Sequence, residues 1–158
     1  MIIIGAGIIG ASFAYHANKI GLREITVLSS DLPGEKNQAT SNTWGWINGY
    51  ARNDKSYADF RLANLNYWPK IINEISNLKV SSKGAFFWDL NNEELYQTIK
   101  QHKNWGQSVK ISTNSELEEE LPNILNKPKE AGFGKNDLAI ECVGATKELF
   151  EASGAKII

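Results

Sequence analysis

Three glycines near the start of the chain carry its strongest chemical signal, Gly5-x-Gly7-x-x-Gly10. The spacing suits a phosphate cradle. Gly5 makes a tight turn, Gly7 lets the backbone approach a pyrophosphate with no Cβ in the way, and Gly10 lets a helix pack closely on a strand. A helix starting here leaves its first N–H groups unpaired and carries a partial positive charge at that end. Gly5, Ala6, Gly7, Ile8, Ile9 and Gly10 together are therefore the candidate dinucleotide-binding turn. The bland alternative is a glycine-rich structural turn, so context has to decide.

The flanking elements supply that context. Met1-Ile2-Ile3-Ile4 is a short β-branched run and reads as a strand buried on both faces. Residues 8–19 read as a helix of small and apolar residues, stopped near Gly21. Residues 24–28 are a second strand. Strand, glycine-rich turn, helix and strand make one βαβ unit. The fingerprint's second half is an acid at the end of strand two, bonding a ribose hydroxyl. Ser29 stands there instead, with Asp31 two residues on. Three arrangements compete: Ser29 bonds the ribose more weakly, Asp31 reaches back, or the adenosine site is degraded. The segment just after the strand lacks the arginine that a 2′-phosphate reader would want, which argues against NADP.

Beyond the βαβ unit, residues 29–53 read as loop around Trp44-Gly45-Trp46-Ile47-Asn48. Asp54 resembles an N-cap. Tyr57, Phe60, Leu62, Leu65, Trp68, Ile72 and Ile75 recur at helical spacing, with Pro69 as a candidate kink. Residues 84–90 read as a strand, 92–103 as a polar surface helix and 109–111 as a weak strand. Ser115 with Glu118 fits a capping box opening a helix that ends at Pro122. Residues 123–136 read as loop, 138–142 as a strand, 144–153 as a helix and 154–158 as the start of another strand.

Composition excludes several functions. The 158 residues hold 17 Lys+Arg against 18 Asp+Glu, so no basic field exists for nucleic acid or an anionic membrane. Apolar content of 42% is enough for a packed core. One cysteine rules out an internal disulfide framework and makes a reducing cytoplasm the default location. The N-terminal apolar run is too short to span a bilayer and lacks a positive n-region.

Other residues have a plain structural reading beside any sharper one. Trp44 and Trp46 suit a cofactor or substrate pocket, or a cap on the core. Trp68, Trp88 and Trp105 read as packing residues. His16 and His102 lack a second ligand at metal spacing. Cys142 reads as a buried thiol, and Glu116–Glu120 as a solvated helix face. Arg52 and Arg61 suit a substrate carboxylate, or the surface.

Ala39-Thr40-Ser41-Asn42-Thr43-Trp44-Gly45-Trp46-Ile47-Asn48 resembles the small-residue loop after strand two in FAD-dependent oxidoreductases of the D-amino-acid oxidase superfamily. The 54–75 helix, Glu118-Glu119-Glu120-Leu121-Pro122 and residues 145–158 match that layout more loosely. The sequence departs at Ser29, where the family usually has Glu, and at Cys142, where proline is common. The resemblance implies an FAD site. Gly5, Gly7 and Gly10 would hold the pyrophosphate, and Ser29 would sit at the adenosine ribose. Thr40, Ser41 and Asn42 would line the path toward the flavin. The implied activity is oxidation of a C–N bond in a small amine or amino acid by hydride transfer to flavin.

The expected architecture is α/β, a Rossmann-like FAD-binding βαβ unit with an α+β insertion. Residues 1–50 would bind the cofactor, 51–136 would begin a substrate domain, and 137–158 would return to the third parallel strand. Family members are much longer, so the chain reads as the N-terminal part of such an enzyme. A sheet without its neighbouring strands invites a complementary C-terminal chain or a homo-oligomer. The competing classes are a nicotinamide-dependent dehydrogenase and a non-catalytic fragment holding at most the ADP moiety. No residue stands out as the catalytic base.

Overall fold

A computed structural model describes residues 1–35, 37–50 and 54–158. In chain order the elements are β1 (Ile2–Ile4), α1 (Ile8–Lys19), β2 (Thr26–Leu28), a 3-10 turn (Ala39–Asn42), β3 (Trp46–Ile47), α2 (Lys55–Glu74), β4 (Val80–Phe87), α3 (Asn92–Asn104), β5 (Val109–Thr113), α4 (Asn114–Glu120), β6 (Glu130–Ile140), α5 (Cys142–Ser153) and β7 (Lys156–Ile157). They fall into two compact units. One takes Met1–Gly45, Pro69–Ser81 and Ala139–Ile158, the other Trp46–Trp68 and Ser82–Leu138.

In the first unit β1, β2 and β7 form an all-parallel sheet in the order β1-β2-β7, with Ile3 opposite Val27 and Val27 opposite Ile157. The close contact of α1 with α5 follows from side-chain size. Ala11, Ala14 and Ala17 are buried on α1, and Ala145, Leu149 and Phe150 on α5. Small residues let two helix backbones approach, and larger ones then fill the remaining space. The Asn18 side-chain amide donates to the Ser153 carbonyl at 2.6 Å and ties the C-terminal ends of the two helices together. Helix α5 starts on Glu141, whose carboxylate accepts from the backbone N–H groups of Val143 and Gly144. It stops at Gly154, which is left-handed with φ +63°.

The expectation that Met1–Ile4 is buried on both faces is overturned. Side chains alternate across a strand, so Ile3 and Val27 share one face and Ile2 and Ile4 the other. Val27 is fully buried, whereas Ile2 is 69% and Ile4 87% exposed. Among the described residues β1 lies at an edge of the sheet, beside β2.

In the second unit the long strand β6 is the hub. The sheet runs β3-β6-β4, and β5 also pairs with β6, antiparallel, from Val109 opposite Gly134 to Thr113 opposite Glu130. Phe87, Leu95, Ile99 and Val109 form a buried cluster, with Tyr50, Leu90 and Ile111 packed on it. Helix α3 starts with a capping box between Asn91 and Glu94.

Several expectations shift. The 123–136 loop holds only over 123–129, because β6 begins at Glu130. Its glycines hid the strand, yet each makes room for a neighbour. A Cβ on Gly132 would lie 2.3 Å from the Phe87 ring, and one on Gly134 2.7 Å from the Asp137 carboxyl. The capping box of α4 pairs Thr113 with Glu116, not Ser115 with Glu118. Helix α2 continues through Pro69. It buries Ala58, Leu65, Trp68 and Ile71 and leaves Tyr57 and Phe60 exposed, so its inner face is rotated from the expected one. The Asp54 carboxylate accepts from the Tyr57 N–H at 3.0 Å, as an N-cap does. Trp68 is buried, but Trp88 is exposed. Among the described residues no helix is long and apolar enough to cross a membrane.

A Gly132→Ala substitution should destabilise the chain by about 1–3 kcal/mol through overpacking against Phe87, read as a lower urea midpoint at unchanged slope. An unchanged midpoint would mean that the Phe87 ring has room to move.

Candidate functional site

The turn between β1 and α1 is built from the backbone outward. The Gly5 N–H donates to the Leu28 carbonyl at 2.8 Å, fixing the end of β1 against β2. Gly5 then turns with φ +103°, a conformation in which most side chains are strained. Gly10 comes down on that turn, and a Cβ there would lie 2.1 Å from the Gly5 carbonyl oxygen. Gly7 is the N-cap of α1, and a Cβ there would meet only the Thr40 hydroxyl, at 3.4 Å. The cost of a side chain at Gly7 would thus fall on whatever occupies the space in front of the turn.

That space is a cleft of about 580 Å³. Its wall includes the whole Gly5–Gly10 turn, together with Ser29, Asp31 and Thr40. Two hydroxyls converge on the turn. Ser29 Oγ accepts from the Ala6 N–H at 3.2 Å, and Thr40 Oγ1 accepts from the Ile8 N–H at 3.2 Å. The first intrahelical bond of α1 runs from the Ala11 N–H to the Gly7 carbonyl at 3.0 Å. Helix geometry itself gives the N–H groups of Ile9 and Gly10 no partner. The first turn of α1 holds no acidic side chain, so the dipole at this end is not neutralised locally.

The proposed flavin-path residues separate. Thr40 lies on the cleft wall, whereas Ser41 and Asn42 do not. Ser41 Oγ donates to the Glu35 carbonyl at 2.7 Å and the Asn42 amide to the Gln38 carbonyl at 2.9 Å, so both side chains brace the loop. Phe13 and Gln38, not singled out from the sequence, also border the cleft. Phe13 follows Gly10 by three residues and so shares its helix face, a signal the sequence does carry. Gln38 has no comparable signal. Its amide bonds to Gly34, Asp31 and Leu32 and shapes the loop from within.

The other residues weighed above have local partners. Arg61 is half-buried and donates to the Asn48 carbonyl oxygen at 3.2 Å and to the Asn48 side-chain oxygen. Arg52 lies outside the described residues. Cys142 is half-buried at the start of α5, less enclosed than expected, and burial pushes its thiol pKa up, with Glu141 adding to the effect. His102 is fully buried, with Nδ1 2.9 Å from the Gln107 side-chain oxygen. Among the described residues no cluster of three or more His, Cys, Asp or Glu is arranged to hold a metal ion.

One titratable group has no signal in the sequence. Asp137 is 3% exposed and lies 3.2 Å from Trp46 Nε1 and 3.3 Å from the Gly49 nitrogen. Burial pushes its carboxyl up to about 6, against the opposing pull of those two donors and of Arg61.

Two outcomes follow from these contacts. Thr40→Val keeps the shape but removes the acceptor for the Ile8 N–H, and should lower stability by about 1 kcal/mol in urea unfolding. Asp137 binds its proton more tightly in the folded chain, so its contribution is fully present below the unfolded carboxylate pKa and is lost as pH rises through about 6. Relative to Asp137→Asn, the wild-type chain should lose roughly 3 kcal/mol of unfolding free energy between about pH 4 and pH 7, because each pH unit between the unfolded and folded pKa is worth ~1.4 kcal/mol. Parallel profiles for the two proteins would mean that Asp137 is ionised without cost.

The comparisons agree with this geometry. The chain is 24% identical over 164 residues to monomeric sarcosine oxidase from Arthrobacter sp. (strain TE1826), which covers all of this chain and 42% of that protein. L-proline dehydrogenase from P. horikoshii superposes with a TM-score of 0.85 at 22% identity, covering 99% of this chain and 42% of its own. Glycine oxidase from Geobacillus kaustophilus gives 0.81 at 19% identity, covering 99% and 45%. The chain thus spans less than half the length of these relatives. The family model for FAD dependent oxidoreductases (DAO) matches residues 1–158. An α/β fold, a glycine turn over an open cleft and a match along the entire chain lead to one conclusion: the chain belongs to the DAO family of FAD-dependent oxidoreductases.

Proposed function

We propose that this chain is the cofactor-cradling, N-terminal portion of an FAD-dependent oxidoreductase acting on a C–N bond of a small amine or amino acid. The observation that carries the reading is the cleft bordered by the whole Gly5–Gly10 turn, Ser29 and Thr40. The turn offers N–H donors and a helix N-terminus to a pyrophosphate. Gly7 leaves room for the phosphates to approach. Ser29 and Asp31 both border the cleft, where either side chain suits an adenosine ribose. Thr40 would meet the cofactor directly, while Ser41 and Asn42 would keep the loop in shape.

When bound, FAD supplies the hydride acceptor. The chain's own part is to hold the phosphates, orient the loop and cover one side of the cofactor. The relatives named above are a sarcosine oxidase, a proline dehydrogenase and a glycine oxidase. Those names support the amine and amino-acid substrate class for this chain. The exposed Ile2 and Ile4 on edge strand β1 support a further chain in the working assembly, either a complementary C-terminal portion or a second copy.

A second reading has its own support, because the Gly5–Gly10 turn, Ser29 and Asp31 on the cleft wall suit a pyrophosphate and a ribose, the parts that FAD shares with ADP. The chain would then hold only the ADP moiety and contribute no chemistry. Binding separates the two. If the loop contributes to a flavin site, the folded chain should retain flavin absorption after desalting and bind FAD at least about tenfold more tightly than ADP, a gap of ~1.4 kcal/mol. Equal affinities favour the ADP-only reading. Gly7→Val should abolish both, since its branched side chain occupies the phosphate approach. Unchanged affinity in a folded Gly7→Val variant would sink the assigned cradle.

A further inference from the structure

The five residues Trp46–Tyr50 are held, within the second unit, by side chains from every side. From β6, Asp137 accepts from the Trp46 indole N–H at 3.2 Å and from the Gly49 backbone N–H at 3.3 Å. From α2, Arg61 grips both oxygens of Asn48. From β4, the Phe87 ring stacks on Tyr50 with centroids 4.3 Å apart, and from α3 the His102 ring lies 5.5 Å from the same tyrosine. Past the end of α3, the side-chain amide of Gln107 lies where a Cβ on Gly49 would come within 3.1 Å. That amide bonds His102 through its oxygen, and among the described residues its buried nitrogen has no partner.

A segment that merely filled a core would be held by apolar contacts. This one is also held by a buried carboxylate and a guanidinium, each costly to remove from water. What a carboxylate offers in return is two acceptor oxygens in fixed directions. One oxygen meets the side-chain donor of Trp46 and the other the backbone donor of Gly49, so a single group ties two residues three positions apart in the segment. A neutral carboxylic acid or an amide offers one carbonyl acceptor and turns a hydrogen toward the other donor. Arg61 is the charged group facing Asp137 from α2, while β3 and Gly49 present N–H donors and β6 itself presents Gly134.

We propose that Asp137 is a positioning residue whose ionised carboxylate latches the Trp46 indole and the Gly49 backbone, and that protonation opens this latch and loosens the Trp46–Tyr50 segment. The segment continues the small-residue loop of the cofactor half, so the consequence for oxidoreduction rests on the function proposed above. The latch itself does not.

The test uses the folded chain with its tryptophan indoles labelled with nitrogen-15. The Trp46 signal is assigned by its loss in Trp46→Phe. Its indole shift should titrate with a midpoint of about 6, and the protection of the Gly49 amide, relative to the intrinsic exchange rate at each pH, should fall by about tenfold below that midpoint. In Asp137→Asn both changes should vanish, with the Gly49 amide equally weakly protected at every pH. A flat Trp46 indole shift in the wild-type chain, or a titration that persists in Asp137→Asn, overturns the proposal. If Asp137→Asn does not fold, the Asp137 carboxyl carbon is followed in the wild type instead. Titration in step with the Trp46 indole supports the latch, and a separate midpoint overturns it. FAD binding is read in parallel. A chain that titrates as expected but binds no FAD removes the oxidoreductase reading and leaves the latch, whereas FAD binding with a flat indole removes the latch alone.

Discussion

With no side chain at Gly10, the first turn of α1 comes down onto the backbone of Gly5. A β-carbon there would sit 2.1 Å from the Gly5 carbonyl oxygen, a separation no real contact reaches. The rest of the first unit depends on this approach. It sets how close α1 lies to β1, and therefore where the small residues Ala11, Ala14 and Ala17 fall relative to α5. It also decides which N–H groups face the cleft. A larger residue would push the helix off the strand and turn its dipole away from the space that Gly5, Gly7 and Thr40 enclose.

This dependence explains which parts of the molecule are readable in the sequence. The β1–α1–β2 unit follows local rules, and its α1 spans Ile8–Lys19 as the pattern predicts. Its chemistry is equally local, because the glycine spacing and the helix N-terminus are adjacent in the chain. Strand β6 is the contrary case. Gly132 and Gly134 look like loop residues when read alone, and their reason lies elsewhere, in the Phe87 ring and in the Asp137 carboxyl. Asp137 itself is a lone acid before an apolar run. Nothing in its neighbourhood announces that Trp46, ninety-one positions earlier, will donate to it. The same holds for β1, where the apolar run is real but its burial depends on a layer that local pattern does not reveal.

The two units fix their loops by opposite electrostatic means. Around Trp46–Tyr50 the holding groups include an anion and a cation, which accept and donate strongly but must be desolvated. Around the glycine turn the holding groups are neutral hydroxyls. That choice has a physical reason. Ser29 and Thr40 satisfy the Ala6 and Ile8 N–H groups without bringing negative charge to the start of α1. A carboxylate hydrogen-bonded there would neutralise the partial positive charge that an incoming anion needs, and would repel that anion directly.

The serine at position 29 is therefore more than a missing acid. Its hydroxyl is committed to the turn through the Ala6 N–H, so its first role is to hold the strand-to-helix connection. The acid on the cleft wall is Asp31, two residues further along. Its carboxylate is 3.0 Å from the Ser30 hydroxyl, and its backbone carbonyl accepts from the Gln38 amide, which anchors this stretch to the loop leading to Thr40. The arrangement divides one job between two residues. A neutral hydroxyl braces the turn through the Ala6 N–H, and a carboxylate stands two residues on along the cleft wall. Negative charge is thereby kept off the Ala6 N–H at the start of α1, where a glutamate at position 29 would bring a carboxylate beside the partial positive charge of the helix end.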